Sequence, residues 1–175
     1  RSFTTVATNP CGEIPLCPYD SCRLLAINLL SYVDKPFTKE ASFNFEKFKQ
    51  HVEKAMRMMD DIIDLELEKV ELIINKIAAD PEDEDIRRVE LELWKKIRTM
   101  ARKGRRTGLG ITAEGDMLAA LGLRYGTPEA TAFAVKVQKT LALEAYRASV
   151  KMAAERGAFE IFDARKEIGR ASCRE

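Results

Sequence analysis

Asn9, Cys11 and Glu13 put an amide, a thiol and a carboxylate at every second position of the segment Asn9-Pro10-Cys11-Gly12-Glu13. In extended backbone, side chains two apart project from one face, so a single small substrate could meet all three groups at once. Pro10 fixes its own φ and has no N–H to donate, and Gly12 has no side chain to hold a ligand away; together they suit a stiff loop tip that approaches something closely. Cys17 and Cys22 follow, and Cys173 is the fourth cysteine. With 46% hydrophobic residues the chain does not read as a secreted disulfide scaffold, and in a reducing compartment such thiols are catalytic, metal-binding or buried. Zinc ligation by Cys11, Cys17 and Cys22 is the weaker option, because there is no close Cys-x-x-Cys pair and the single histidine, His51, lies far along a helix. No protein metal site is expected.

The elements that must position these groups follow from length and periodicity. A chain of 175 residues has the length of one domain and can bury a real core. Its net charge of +1 with 33% charged residues lacks the basic excess of nucleic-acid binding, so direct DNA binding is not expected. No apolar run approaches the roughly 20 residues that span a bilayer, and no signal pattern opens the chain, which points to a cytoplasmic protein without a membrane partner. Leu24 to Leu30 is an apolar run whose shortness, after Pro15, Pro18 and Asp20, predicts a buried strand. Residues 34–42 form a loop.

Three helices carry end signals. Asn44 is the N-cap of the first, with Phe43 and Phe48 as a hydrophobic staple. Its stripe is Phe45, Phe48, Val52, Met56, Met59 and Ile63, and the helical pattern continues, bent or interrupted, through Leu72 to Ile77. The second is predicted to start at Asp80-Pro81 and end near Gly104, facing inward with Ile86, Val89, Leu93, Ile97 and Met100. The third starts at Thr127-Pro128-Glu129 and ends at Gly157, with Phe133, Val137, Leu141, Ala145 and Met152 facing in. Between the last two, Gly108-x-Gly110 lacks the third glycine, the long strand and the acidic residue of a dinucleotide fingerprint, so a short strand entering a helix from Ala113 to Leu121 is preferred. Cys17 reads as a small apolar filler, His51 as part of a solvated face, Trp94 as a core or interface anchor, and Met56, Met58 and Met59 as packing.

Thr8-Asn9-Pro10-Cys11-Gly12-Glu13, then Ser21-Cys22 with Ile27-Asn28-Leu29, resembles the catalytic chain of ribonucleotide reductases, in particular the adenosylcobalamin-dependent class II enzymes. Gly108-Leu109-Gly110-Ile111-Thr112, Asp116-Met117-Leu118, Leu121-Gly122, Tyr125-Gly126, Tyr146 and Gly157-Ala158-Phe159 look like that family's following blocks, in order over about residues 1–166. Pro10 and Gly12 distinguish the pattern from the class I version of Asn-x-Cys-x-Glu. The resemblance implies an α/β fold, a partial arc of the family's ten-stranded barrel that is mostly helical here, with the radical cysteine on a loop inside it. It implies that Cys11 carries a thiyl radical, Glu13 takes the 3′-hydroxyl proton, Asn9 bonds the sugar hydroxyls, and Cys22 is one of two reducing cysteines. A thiol can give and take back a hydrogen atom, a nearby carboxylate can act as base, and a cysteine pair supplies two electrons by becoming a disulfide. The implied cofactor is adenosylcobalamin. The implied partners are a ribonucleoside di- or triphosphate, dNTP or ATP effectors and a thioredoxin-like dithiol, with a homodimer one option for assembly.

The pattern departs from the family at Arg23-Leu24-Leu25-Ala26, where many members have Asn-Leu-Gly-Ser, and this puts the surroundings of Cys22 in question. The family's other reducing cysteine belongs to an earlier strand that this sequence lacks, so the chain reads as an internal piece, inactive by itself. The last nine residues, 167–175, resemble the translation of a common sequencing adapter, which leaves Cys173 without a role; a redox tail normally carries two cysteines. The organisation expected is thus a reductase barrel segment over residues 1–166 followed by a foreign tail. The competing readings are a class I large chain with a radical-generating partner subunit and a helical interaction module whose cysteines are incidental.

Overall fold

A single uninterrupted helix, α1 (Phe45–Ala78), runs for 34 residues through the middle of the chain. The computed structural model describes residues 4–10, 12 and 14–163; Cys11, Glu13 and the 167–175 tail lie outside the described residues. Asn44 caps α1 as expected: its Oδ1 accepts from the Lys47 N–H at 3.0 Å, and the Phe43 and Phe48 rings meet edge-on with centroids 5.4 Å apart. The helix is not interrupted, because Leu72 to Ile77 continue it without a glycine or proline to break the ladder. The inward stripe is Phe48, Val52, Ala55, Met59 and Ile63, then Val70, Ile74 and Ile77. Ala55 rather than Met56 fills the buried position.

The second helix, α2 (Glu84–Gly104), starts later than predicted. Asp80 accepts from the Glu82 N–H at 3.2 Å and so shapes a turn, while Asp83 caps the helix by accepting from Asp85 N–H at 2.9 Å. Both aspartates carry a cap signal, and the second leads directly into an acidic first turn, which suits the positive end of the helix dipole. The expected inner stripe holds only in its second half. Ile86, Val89 and Leu93 are exposed, whereas Ile97 and Met100 are half-buried together with Leu91 and Trp94, and Ala101 is buried. Apolar residues occur on both faces, so the 3.6-residue period alone admits either stripe. The short α3 (Glu114–Ala120) and the long α4 (Pro128–Arg156) lie where predicted. Thr127 Oγ1 accepts from Ala130 N–H at 3.3 Å, and α4 buries Ala130, Val137, Leu141 and Ala148.

Strands are few and short. β1 (Ala7–Thr8) pairs antiparallel with β2 (Pro15–Leu16). β3 (Arg23–Asn28) pairs with β6 (Thr107–Thr112), and β4 (Val33–Asp34) pairs antiparallel with β5 (Ser42–Phe43) across the 35–41 loop. Gly108 and Gly110 are therefore strand residues, as preferred over the phosphate-loop reading. β3 is not buried throughout as its apolar run suggested. Arg23, Leu25 and Ile27 point to the covered side, Leu24 is exposed, and after Asn28 the chain turns into a 3₁₀ helix over Leu29–Tyr32.

The described residues divide into two compact units, one of those up to Arg23, of 60–108 and from Gly157 onward, the other of residues 24–59 and 109–156. The second unit holds a continuous core in which Leu29, Tyr32, Phe43 and Phe48 pack with Met117, Leu118 and Val137. His51 belongs to its margin: Nδ1 lies 3.0 Å from the Tyr32 hydroxyl, so it is half-buried rather than part of a solvated face, and burial raises the Tyr32 pKa. Among the described residues no helix is long and apolar enough to cross a membrane.

Candidate active site

The first unit carries the segments that the sequence marked for chemistry. The β1–β2 ladder, with Ala7 opposite Leu16 and Thr8 opposite Pro15, continues one step inward to Asn9 and Ile14. The Asn9 N–H donates to Ile14 O at 3.2 Å, and the Ile14 N–H donates to Asn9 Oδ1 at 2.9 Å. Gly12 N–H donates to Asn9 O at 3.0 Å, with Gly12 at φ +83°. The Gly12 to Asn9 bond closes a turn at this point of the hairpin. Proline at the second position of a turn and glycine where φ is positive are the residues such a turn requires. Asn9, only 5% exposed, is a clamp for the hairpin. Its second carbonyl lone pair and its two amide donors are further bonding capacity.

Cys17 and Cys22, both free thiols, sit in different surroundings: Cys17 is buried and Cys22 half-buried. Asp20 N–H donates to Cys17 O at 3.2 Å, closing a turn in which Tyr19 has φ +63°. The Asp20 carboxylate accepts from Ser21 N–H at 2.9 Å and from Arg106 Nε at 2.7 Å. Arg106 Nη2 also lies 3.9 Å from Cys17 Sγ. Cys17 thus fills space as expected, and a guanidinium covers its sulfur.

Arg23, the departure next to Cys22, is the residue whose role sequence reasoning missed. It is buried, and it grips Glu66 of α1 with two parallel bonds, Nε to Oε2 at 2.5 Å and Nη2 to Oε1 at 2.6 Å. Nη1 donates to Ser21 O at 3.1 Å and reaches Arg106 O at 3.5 Å. The available signal was its parity: Arg23 shares the inward face of β3 with Leu25 and Ile27, and a charge at such a position needs a partner.

Arg105 ends α2 in the left-handed conformation, φ +41° and ψ +48°, with its N–H on Ala101 O. Its guanidinium holds Asp60 and Asp64 of α1 at 2.7 Å each and Asp60 O at 2.9 Å. Burial works against the charge, but the bonds to Asp64 and Asp60 outweigh it and raise the Arg105 pKa. Oxygens of Asp60, Asp61 and Asp64 lie within 4.8 Å of one another. With Arg105 on two of the three, this cluster reads as the counter-charge of an arginine.

Residues 3–171 match the family model described as the ribonucleotide reductase barrel domain. The chain belongs to this family. It is 31% identical over 156 residues to the vitamin B12-dependent ribonucleoside-diphosphate reductase of Mycobacterium tuberculosis, an alignment covering 89% of this chain and 18% of that protein. It is 35% identical over 153 residues to the vitamin B12-dependent ribonucleoside-diphosphate reductase of Thermoplasma acidophilum, covering 87% of this chain and 16% of that one. The chain therefore spans less than a fifth of the length of these curated relatives. The expected fold class, a mostly helical part of the reductase α/β barrel, is borne out by the family match and by an architecture of long helices with three short strand pairs among the described residues.

Proposed function

We propose that this chain is the radical-loop segment of an adenosylcobalamin-dependent ribonucleotide reductase, which converts ribonucleotides to 2′-deoxyribonucleotides for DNA synthesis. The observation that carries the reading is the ordered set Asn9, Cys11, Glu13 and Cys22 in a chain of the reductase barrel family. The names of the relatives favour a ribonucleoside diphosphate as substrate and vitamin B12 as the cofactor class.

Each residue then has a step. The Cys11 thiyl removes hydrogen from the 3′ carbon of the ribose, and Glu13 accepts the 3′-hydroxyl proton. The 2′-hydroxyl leaves as water. Cys22 and a second cysteine elsewhere in the protein supply two electrons and two protons and become a disulfide, one proton leaving with the water and the other ending on the 2′ carbon; Cys11 then returns hydrogen to the 3′ carbon and Glu13 its proton to the 3′ oxygen. Asn9 orients the sugar hydroxyls while its Oδ1 holds Ile14. Adenosylcobalamin, when bound, supplies the radical equivalent that no ordinary side chain generates. A short turn closed by Asn9 and Ile14 fits that requirement, since a thiol that gives and takes back one hydrogen atom must stay in place. A thioredoxin-like dithiol would reduce the disulfide by exchange, dNTP or ATP effectors would regulate the whole protein, and the cytoplasm supplies the reducing pool.

The test is ribonucleotide reduction by the full-length protein with and without adenosylcobalamin. Turnover is expected only with the cobalamin, and Cys11→Ser is expected to abolish it. Activity without cobalamin but with a second subunit would point to the class I reading. Undiminished turnover in the Cys11→Ser protein would remove both reductase readings and leave a helical interaction module.

A further inference from the structure

We infer that Arg23 is a positioning residue for Cys22, acting with Glu66 as a clamp on the backbone at both sides of the thiol. The inference rests on the reductase reading given above, in which Cys22 must meet both a substrate and a partner sulfur. Arg23 Nη1 donates to the carbonyl of Ser21 at 3.1 Å, so the residue before Cys22 is tied to the side chain of the residue after it. Cys22 lies inside this small closed ring. The same guanidinium is fixed to α1 by its two bonds to Glu66, and Nη1 reaches Arg106 O at 3.5 Å. Arg106 in turn holds the Asp20 carboxylate at 2.7 Å. Residues 20–23 are therefore attached to α1 and to the residue that precedes β6.

Position is what such a pair gives. A buried arginine–carboxylate pair adds little net stability over a well-packed apolar pair, because desolvation offsets the attraction. Its planar two-bond geometry instead fixes distance and angle, which a lysine in the same place would not do. A disulfide forms only when the two Cβ atoms come within about 3.5–4.5 Å, and a misplacement of about 1 Å at a reacting group can cost about a hundredfold in rate. The departure from the usual family residue after Cys22 thus comes with its own partner on α1.

The experiment uses the full-length reductase with Arg23→Met, Glu66→Gln, Arg23→Lys and the double variant Arg23→Met/Glu66→Met. Two properties are read: steady-state kinetics, and the rate at which iodoacetamide alkylates Cys22 and Cys11 in the reduced enzyme, followed by peptide mass spectrometry. Arg23→Met and Glu66→Gln are each expected to lower kcat by about 10- to 100-fold with KM within about twofold. The double variant should be no slower than the worse single one, since the two groups act as a unit. Arg23→Lys should recover only part of the loss. Cys22 alkylation should change by at least about fivefold in the single variants while Cys11 alkylation stays constant. Wild-type kcat together with unchanged Cys22 alkylation would overturn the clamp, as would losses that add in the double variant and track a lowered melting temperature. A wild-type protein that makes no deoxynucleotide would sink the reductase reading by itself, and Cys22 alkylation would still decide the clamp.

Discussion

Ala113 holds a backbone conformation that glycine adopts at lower cost. It stands at φ +61° and ψ +34° at the start of α3, with no side-chain cap bond. For a residue with a Cβ the left-handed region costs about 1 kcal/mol, partly offset in glycine by the larger entropy of its unfolded chain. Ala113→Gly should therefore stabilise α3 by about 0.5 kcal/mol. The Met117 N–H, bonded to Ala113 O at 3.0 Å, reports on this directly: its hydrogen exchange should slow about twofold, and faster exchange would contradict the strain argument. Tyr19 and Arg105 take left-handed φ as well, but side-chain contacts hold both. Lys96 lies over the Tyr19 ring, and Arg105 is bound to two aspartates. Sequence alone exposes such positions poorly, because alanine, tyrosine and arginine give no turn signal; Pro10 and Gly12 do, and the turn they form was legible as a stiff loop tip.

The helices show which signals survive folding. α4 was legible at both ends and along its inner face, since Thr127-Pro128 starts it, Gly157 at φ +87° follows it, and its buried residues keep one spacing. α1 was legible at its start, where Asn44 and the Phe43–Phe48 staple leave little choice. α2 was the least legible, because it carries apolar residues on two faces and two aspartates able to cap it, and only packing selects between them. An inner-face residue should accordingly outweigh an outer one by a wide margin. Phe48 is fully buried and lies 5.1 Å from the Tyr32 ring and 5.4 Å from that of Phe43. Phe48→Ala should destabilise the second unit by about 3–5 kcal/mol through lost burial and the cavity left behind, whereas Met58→Ala, on the exposed side of α1, should change stability by less than about 0.5 kcal/mol. Urea unfolding of the full-length protein, followed by exchange of α1 amides, separates the two. Equal effects would mean that the inner stripe is misassigned.

At the scale of the whole molecule, the family frame explains what the chain leaves open. Each described sheet has only two strands, and a two-stranded pair has an edge of unsatisfied N–H and carbonyl groups on either side. Apolar side chains stay exposed at helical spacing on three helices: Leu65 and Leu72 on α1, Ile86, Val89 and Leu93 on α2, and Val135, Leu143, Tyr146 and Val150 on α4. Large apolar patches are uncommon on monomeric soluble proteins and mark surfaces that another element covers. The sequence could not separate these from core stripes, since periodicity identifies an apolar face without saying which chain lies against it. The consequence is physical and testable. The 175-residue chain, expressed alone, should self-associate, eluting in light scattering as a broad distribution above monomer mass, with a thermal transition that is shallow or irreversible. Replacing Ile86, Val89 and Leu93 by lysine should narrow that distribution without reducing helix content, because these positions contribute exposed area rather than core. A soluble monomer of the unaltered chain with a single sharp, reversible melt would show instead that its two units close their own surfaces, and that strands and stripes at the edge of a barrel segment need no neighbour.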